Sequence, residues 1–150
     1  MTIRMAILND VLALLSAGAP PVAPKRSYTF SITAAKSLIV HGIREEQPEP
    51  IGGNRFTASH VKRRFHIGIE CRATGTATTK ADDEADSVIA WALKTVCGKQ
   101  KGTQDGKLYH LLVEGETEIK LDQADHQYCI ASIDMIAEYQ TKRNDPEVWE

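Results

Sequence analysis

Aromatic residues make up only 6% of this 150-residue chain, cysteine occurs three times, and the net charge is -2. Each scarcity excludes something. Unbroken apolar runs such as Val11 to Leu15 are far short of the roughly 20 residues a membrane-spanning helix needs. Asp10 interrupts the apolar N-terminal stretch, so a secretory signal is not expected there. Cys71, Cys97 and Cys129 cannot close a complete disulfide set and read as reduced thiols in a cytoplasmic setting. A pI near 6.2 offers no global attraction for nucleic acid.

What is present is an ordinary apolar content, 42%, enough for a packed core and against wholesale disorder. The length predicts one domain, burying about two-thirds of its unfolded surface. The charge is unevenly placed. Residues 1–72 hold ten Lys/Arg against five Asp/Glu, a balance of +5, and residues 73–150 hold eight against fifteen, a balance of -7. If the fold keeps these apart, the basic flank of one subunit complements the acidic flank of its neighbour in a head-to-tail ring or filament; if not, the surface is merely mixed.

Ile3, Ala6, Ile7, Val11, Leu14 and Leu15 recur at helical spacing, closed by Gly18 and Pro20-Pro21. A weak strand signal lies at Tyr28–Ile32, and a better one spans Ser37–Arg44. Glu45 to His60, with Pro48, Pro50 and Gly52-Gly53-Asn54, reads as a long mobile loop that could order on binding. Val61 to Arg72 is the clearest strand: Val61, Phe65, Ile67, Ile69 and Cys71 alternate with polar residues. Arg63 falls on the apolar side and is expected near the exposed start of that strand. A helix capped by Thr78 or Thr79 follows, with Asp82, Asp83, Glu84 and Asp86 at its positive end and Gly98 as its stop. Gly102–Gly106 reads as a turn, Lys107–Val113 and Thr117–Leu121 as two strands, and Asp122–Asp125 as another turn. A last long strand runs from Gln127 to Thr141 with Cys129, Ala131, Ile133, Met135, Ala137 and Tyr139 on one face, and a short tail occupies 142–150. The expected fold is α+β: a mixed or antiparallel sheet of about four to six strands with two helices on one face.

Motifs for chemistry are missing. Gly106-Lys107 is followed by Leu108 and preceded at the required distance by Lys101, so no phosphate-binding loop is formed, and no Gly-x-Ser-x-Gly occurs. His60 and His66 share a strand face but stand about 20 Å apart, too far for one metal ion. Cys129 lies on an apolar face and reads as core rather than nucleophile, and Glu114, Glu116 and Glu118 read as a solvated strand edge. No catalytic residue, cofactor or metal site is expected. The cluster Arg55, Lys62, Arg63, Arg64 borders the long loop and fits contact with an acidic partner or passing DNA phosphates, although Phe56 and Phe65 alone are too few aromatics for a single-strand platform.

The layout is distinctive: a first helix, a Pro-rich break, a strand, a long loop, then Arg63-Arg64-Phe65-His66-Ile67-Gly68-Ile69-Glu70. A single helix follows with Ala85-Asp86, Trp91 and Leu93, and a last strand closes on Glu138-Tyr139-Gln140-Thr141 before Asn144-Asp145-Pro146-Glu147. Over nearly its whole length the chain resembles the tail terminator (minor tail) proteins of long-tailed bacteriophages and prophages. The resemblance implies a structural virion protein, assembled in the host cytoplasm as a hexameric ring. Such a ring caps the tail tube, stops its growth and offers the surface for head–tail joining, with DNA passing through the lumen unread. Its partners would be itself, the tail tube protein and the head–tail connector, with no membrane and no chemical step. Gly52, Gly53, Asn54, Arg55, Lys62 and Arg64 are the candidate ring or partner contacts. A head–tail connector or tail completion protein is the neighbouring reading, and a small α+β enzyme with an unrecognised site the alternative from another class.

Overall fold

A computed structural model describes residues 2–26, 35–75, 80–97, 101–104, 107–122 and 128–149; at 97, 101–104, 107–117, 119–122 and 146–149 only the backbone is described. Helix α1 spans Ile3–Ala17. Thr2 caps it in extended conformation, its Oγ1 accepting from the Met5 N–H at 3.3 Å. Ile3, Ala6, Ile7, Leu8, Val11 and Leu15 are buried, the stripe that the spacing predicts, with Leu8 in place of half-buried Leu14. Gly18 ends the helix for a packing reason: a Cβ there would meet Thr95 Cγ2 at 2.7 Å, and its carbonyl accepts from Trp91 Nε1.

The strands are β1 Pro24–Arg26, β2 Lys36–Glu45, β3 Glu49–Ile51 and β4 His60–Thr74, then helix α2 Ala81–Cys97, then β5 Lys101–Gln104, β6 Lys107–Asp122, β7 Tyr128–Lys142 and β8 Asp145–Trp149. They form one mixed sheet in the order β1-β2-β4-β7-β6-β5, with β3 also on β4 and β8 also on β7. Pairing is antiparallel except β1 on β2. The two helices pack on one face, α1 over β1 and β2 and α2 over β4 and β7. The fold is α+β, as expected, with eight strands among the described residues; the excess over the expected number lies in strands of three to five residues, too short to leave a period in the sequence.

β4 and β7 pair in unbroken register from His60↔Lys142 to Thr74↔Tyr128. Their odd-numbered residues therefore share the helix-covered face. Ile67, Ile69 and Cys71 of β4 and Cys129, Ala131 and Ile133 of β7 are all at or near zero exposure. α2 lays Ala85, Val88, Ile89, Ala92 and Val96 on them. Each fully buried Ile contributes roughly 1.5–3 kcal/mol over exposure.

Four element readings change. Within 45–60, Glu49-Pro50-Ile51 pairs with β4, where an outer strand tolerates proline because its missing N–H is not needed by a neighbour. Lys101–Gln104 is strand β5 rather than part of a turn. The two strands expected on either side of Glu114-Gly115-Glu116 are one strand, β6, which absorbs that segment in a register shift between Glu114 and Thr117. The tail at 142–150 carries β8. The Tyr28–Ile32 signal, the Thr78/Thr79 cap, the Gly98 stop and most of the Asp122–Asp125 turn lie outside the described residues.

Candidate functional site

The candidate contact residues gather where β4 begins, beyond the end of β2. The turn that joins β3 to β4 is built by Asn54. Its Oδ1 accepts from the N–H groups of Phe56 (2.8 Å) and Thr57 (3.1 Å) and from Thr57 Oγ1 (3.3 Å), while its carbonyl accepts from Thr57 and Ala58 N–H. Gly52 takes a positive φ of 68°, and a Cβ on Gly53 would meet Thr57 Oγ1 at 2.9 Å, so both glycines are demanded by the turn. This turn holds Phe56 out in solvent, 75% exposed, with the Arg55 guanidinium 5.0 Å from its ring centroid. Arg143, tied by its N–H to the Ser59 carbonyl, stands beside it. A cleft of about 440 Å³ lies between them, lined by Gln47, Pro48, Pro50, Arg55, Phe56, Val61 and Arg143.

Lys62 and Arg64 project from the helix-free face, and both are engaged. Lys62 Nζ lies 3.5 Å from Glu49 and 3.9 Å from Glu138; Arg64 reaches Glu138 at 3.2 Å, Glu49 at 3.7 Å and Glu46 at 3.8 Å. The hydrogen bond to Glu138 and then the Glu49 charge hold the Arg64 guanidinium even further above its ordinary value. One step along, buried His66 bridges strands: Nδ1 is 3.1 Å from Asp134 on β7 and Nε2 is 3.1 Å from Glu46. The bond to His66 pulls the Glu46 carboxyl below its usual range. Next, His41 on β2 pairs with Glu70 at 3.3 Å across Gly68, where a Cβ would strike the His41 ring at 2.7 Å. The Glu70 hydrogen bond raises His41 above its ordinary 6.5. A smaller cleft of about 230 Å³ opens beside it, lined by Glu70, Glu118, Ser132 and Asp134 among others. On this face the +5 and -7 halves of the chain meet inside the subunit, because β4 pairs with β7 along its whole length.

Arg63 is not at an exposed start. It is 8% exposed on the helix-covered face, its Nε donating to Thr141 Oγ1 at 2.8 Å and Nη1 to Glu45 Oε2 at 3.2 Å. Tyr139 donates to the other oxygen of Glu45, and Arg4 of α1 approaches Glu45 at 3.7 Å. The cause is a bulge. β2 turns Leu38, Val40 and Gly42 inward opposite Cys71, Ile69 and Ile67, then slips one residue between Gly42 and Arg44. Glu45 thereby turns inward opposite Phe65, where Arg63 needs a carboxylate. Alternation alone cannot foresee a change of parity, so the sequence reading missed Glu45, Thr141 and Tyr139 as partners; an Arg on an otherwise apolar strand face was the signal that a buried acid must exist.

The remaining perturbed groups are quenched rather than activated. Burial pushes the Cys71 thiol up to about 12 and raises Cys129, and burial, then the bond to Glu45, raises the Tyr139 phenol. Among the described residues no group of three or more His, Cys, Asp or Glu side chains is arranged to hold a metal ion, and no helix is long and apolar enough to cross a membrane. The chain matches no protein-family model and no curated protein.

Proposed function

We propose that this protein is a structural tail terminator of a long-tailed phage or prophage: a hexameric ring that caps the tail tube, ends its polymerisation and presents the surface for head–tail joining. It works through shape and carries out no chemical step. The observation behind this reading is the one-sided architecture. Strands of 15 and 16 residues make a plate about 50 Å long. Both helices back one face of it, and among the described residues nothing packs over the other, which suits it to line a lumen or lie on a tube. That free face is dense in charge, and Lys62, Arg64 and His66 on it are each held by neighbouring carboxylates. Among the described residues Glu46, Glu49, Glu70, Glu118, Asp134 and Glu138 stand on it beside Arg44, Lys62, Arg64, Arg72 and Lys142, a near balance that offers a passing phosphate backbone no strong grip.

The Asn54 turn and its exposed Phe56 supply a fixed projection for contact with the next subunit, the tube protein or the connector. Assembly is tested by negative-stain microscopy with light scattering over a concentration series. Six-fold rings with a central hole are expected, free or on purified tail tubes. A stable two-fold dimer that neither forms rings nor caps tubes would overturn the reading.

A further inference from the structure

The cleft under the Asn54 turn differs from the start of β4 beside it. Lys62, Arg63 and Arg64 each lie within 4.0 Å of a carboxylate. Arg55 and Arg143, which line this cleft, make no ion pair among the described residues. Arg55 and Arg143 share the wall of this cleft with Pro48, Pro50, Phe56 and Val61. A volume of about 440 Å³ falls in the range of about 300–1,000 Å³ typical of ligand pockets.

We propose that this cleft docks an extended acidic segment of a partner protein, one carboxylate on Arg55, a second on Arg143, and an intervening apolar side chain against Phe56 and the prolines. Three observations carry it. First, two cations beside an exposed aromatic, with no carboxylate within ion-pair distance among the described residues, suit charge from outside, since guanidinium and carboxylate match in fork geometry. Second, the turn is already closed by the Asn54 hydrogen bonds, so little ordering entropy opposes binding. Third, the wall selects peptide over nucleic acid. Nucleic acid affinity is built from many phosphate contacts, whereas here there are two guanidiniums flanking an apolar wall. A segment of alternating acidic and apolar residues satisfies both the guanidiniums and the apolar wall.

The inference rests on the assembly reading for the nature of the partner, a protein; its test reads the cleft alone. The probe is a short synthetic peptide of alternating aspartate and leucine, titrated into the ¹⁵N-labelled protein and followed by amide and arginine side-chain shifts. Saturable shifts are expected at Gly53–Thr57 and Arg143. Affinity should fall at least tenfold in Arg55→Ala/Arg143→Ala, and be unchanged in Arg64→Gln, whose guanidinium sits on the opposite face. Absent shifts, equal shifts from a control peptide in which asparagine replaces each aspartate, or tighter binding of oligo-dT at the same residues would each overturn the proposal. Ring formation without peptide binding would sink this inference alone, and peptide binding without rings would sink the assembly reading alone.

Discussion

Arg63 and Arg64 are consecutive in sequence and opposite in circumstance. Arg63 points under the helices and is nearly sealed, with one carboxylate, one hydroxyl and a neighbouring phenol arranged around it. Arg64 points to the free face, its side chain 39% exposed, with three carboxylates in loose reach. More partners do not mean more stabilisation. In water each of the Arg64 pairs is worth about 0–1 kcal/mol, because solvent screens the charges and ordering long side chains costs entropy. The single Arg63–Glu45 pair has no water to replace a lost partner, so removing one member leaves a charge stranded. Alternation along β4 is what assigns the two their fates.

The largest expected effect comes from breaking that alternation itself. Ile67→Asp or Ile133→Asp places an unpaired charge where exposure is zero or 1%. Such a charge costs several kcal/mol, enough to unfold the domain. Circular dichroism would show it; a soluble variant with unchanged melting temperature would mean the strand faces are wrongly assigned.

Next is the comparison of the two arginines. Arg63→Ala should destabilise by about 2–3 kcal/mol, less than the ~3–5 kcal/mol of a wholly buried broken pair because Arg4 remains near Glu45. Arg64→Ala should cost under about 1 kcal/mol. Urea unfolding of both variants decides it, and equal losses would dissolve the contrast. Arg63→Met/Glu45→Gln should regain part of the loss, since no stranded charge is left.

How much of this was legible in the sequence follows the same geometry. The helices, the strand β4 and the buried face of β7 carry their period in the residues, and the structure keeps them. Short strands such as β3 and β8 have no period to read. The bulge at Gly42–Arg44 inverts parity in β2, so Glu45 was hidden although Arg63 announced it. The basic cluster read as one patch, Arg55 to Arg64, divides into a buried residue, two ion-paired residues on the free face and one residue at the turn that rests on the Phe56 ring. Spacing along a chain cannot say which carboxylates will lie across a sheet.

A smaller effect should sharpen the free face further. His41 is raised above 6.5 by Glu70, so its contribution is fully present below that value and is lost as pH rises through the folded-state value. Wild-type stability should therefore fall, relative to His41→Gln, as pH climbs from about 6 to about 8. The difference stays within about 1 kcal/mol because the pair is partly solvated. Parallel pH profiles in urea unfolding would remove His41–Glu70 from the account.

The smallest effect on folding and the cleanest on contact belongs to Arg55. Reversing charge at Arg55, Lys62 and Arg64 together would weaken assembly, but it would also set new acids against Glu49 and Glu138, so a loss of infectious tails could be read as misfolding. Among the described residues Arg55 makes no ion pair, and its one described side-chain contact is the face of an exposed ring. Arg55→Glu should leave the melting temperature within the spread of ordinary surface substitutions, about ±0.5 kcal/mol. It should nevertheless weaken tail joining, because it sets a negative charge at the mouth of the cleft. Lys62→Ala, on the opposite face, should do less to joining and slightly more to stability. The two variants thus separate a residue that holds the sheet's charges together from one held out for a partner, and a stable Arg55→Glu protein that joins tails normally would leave the turn with no role beyond closing β3 onto β4.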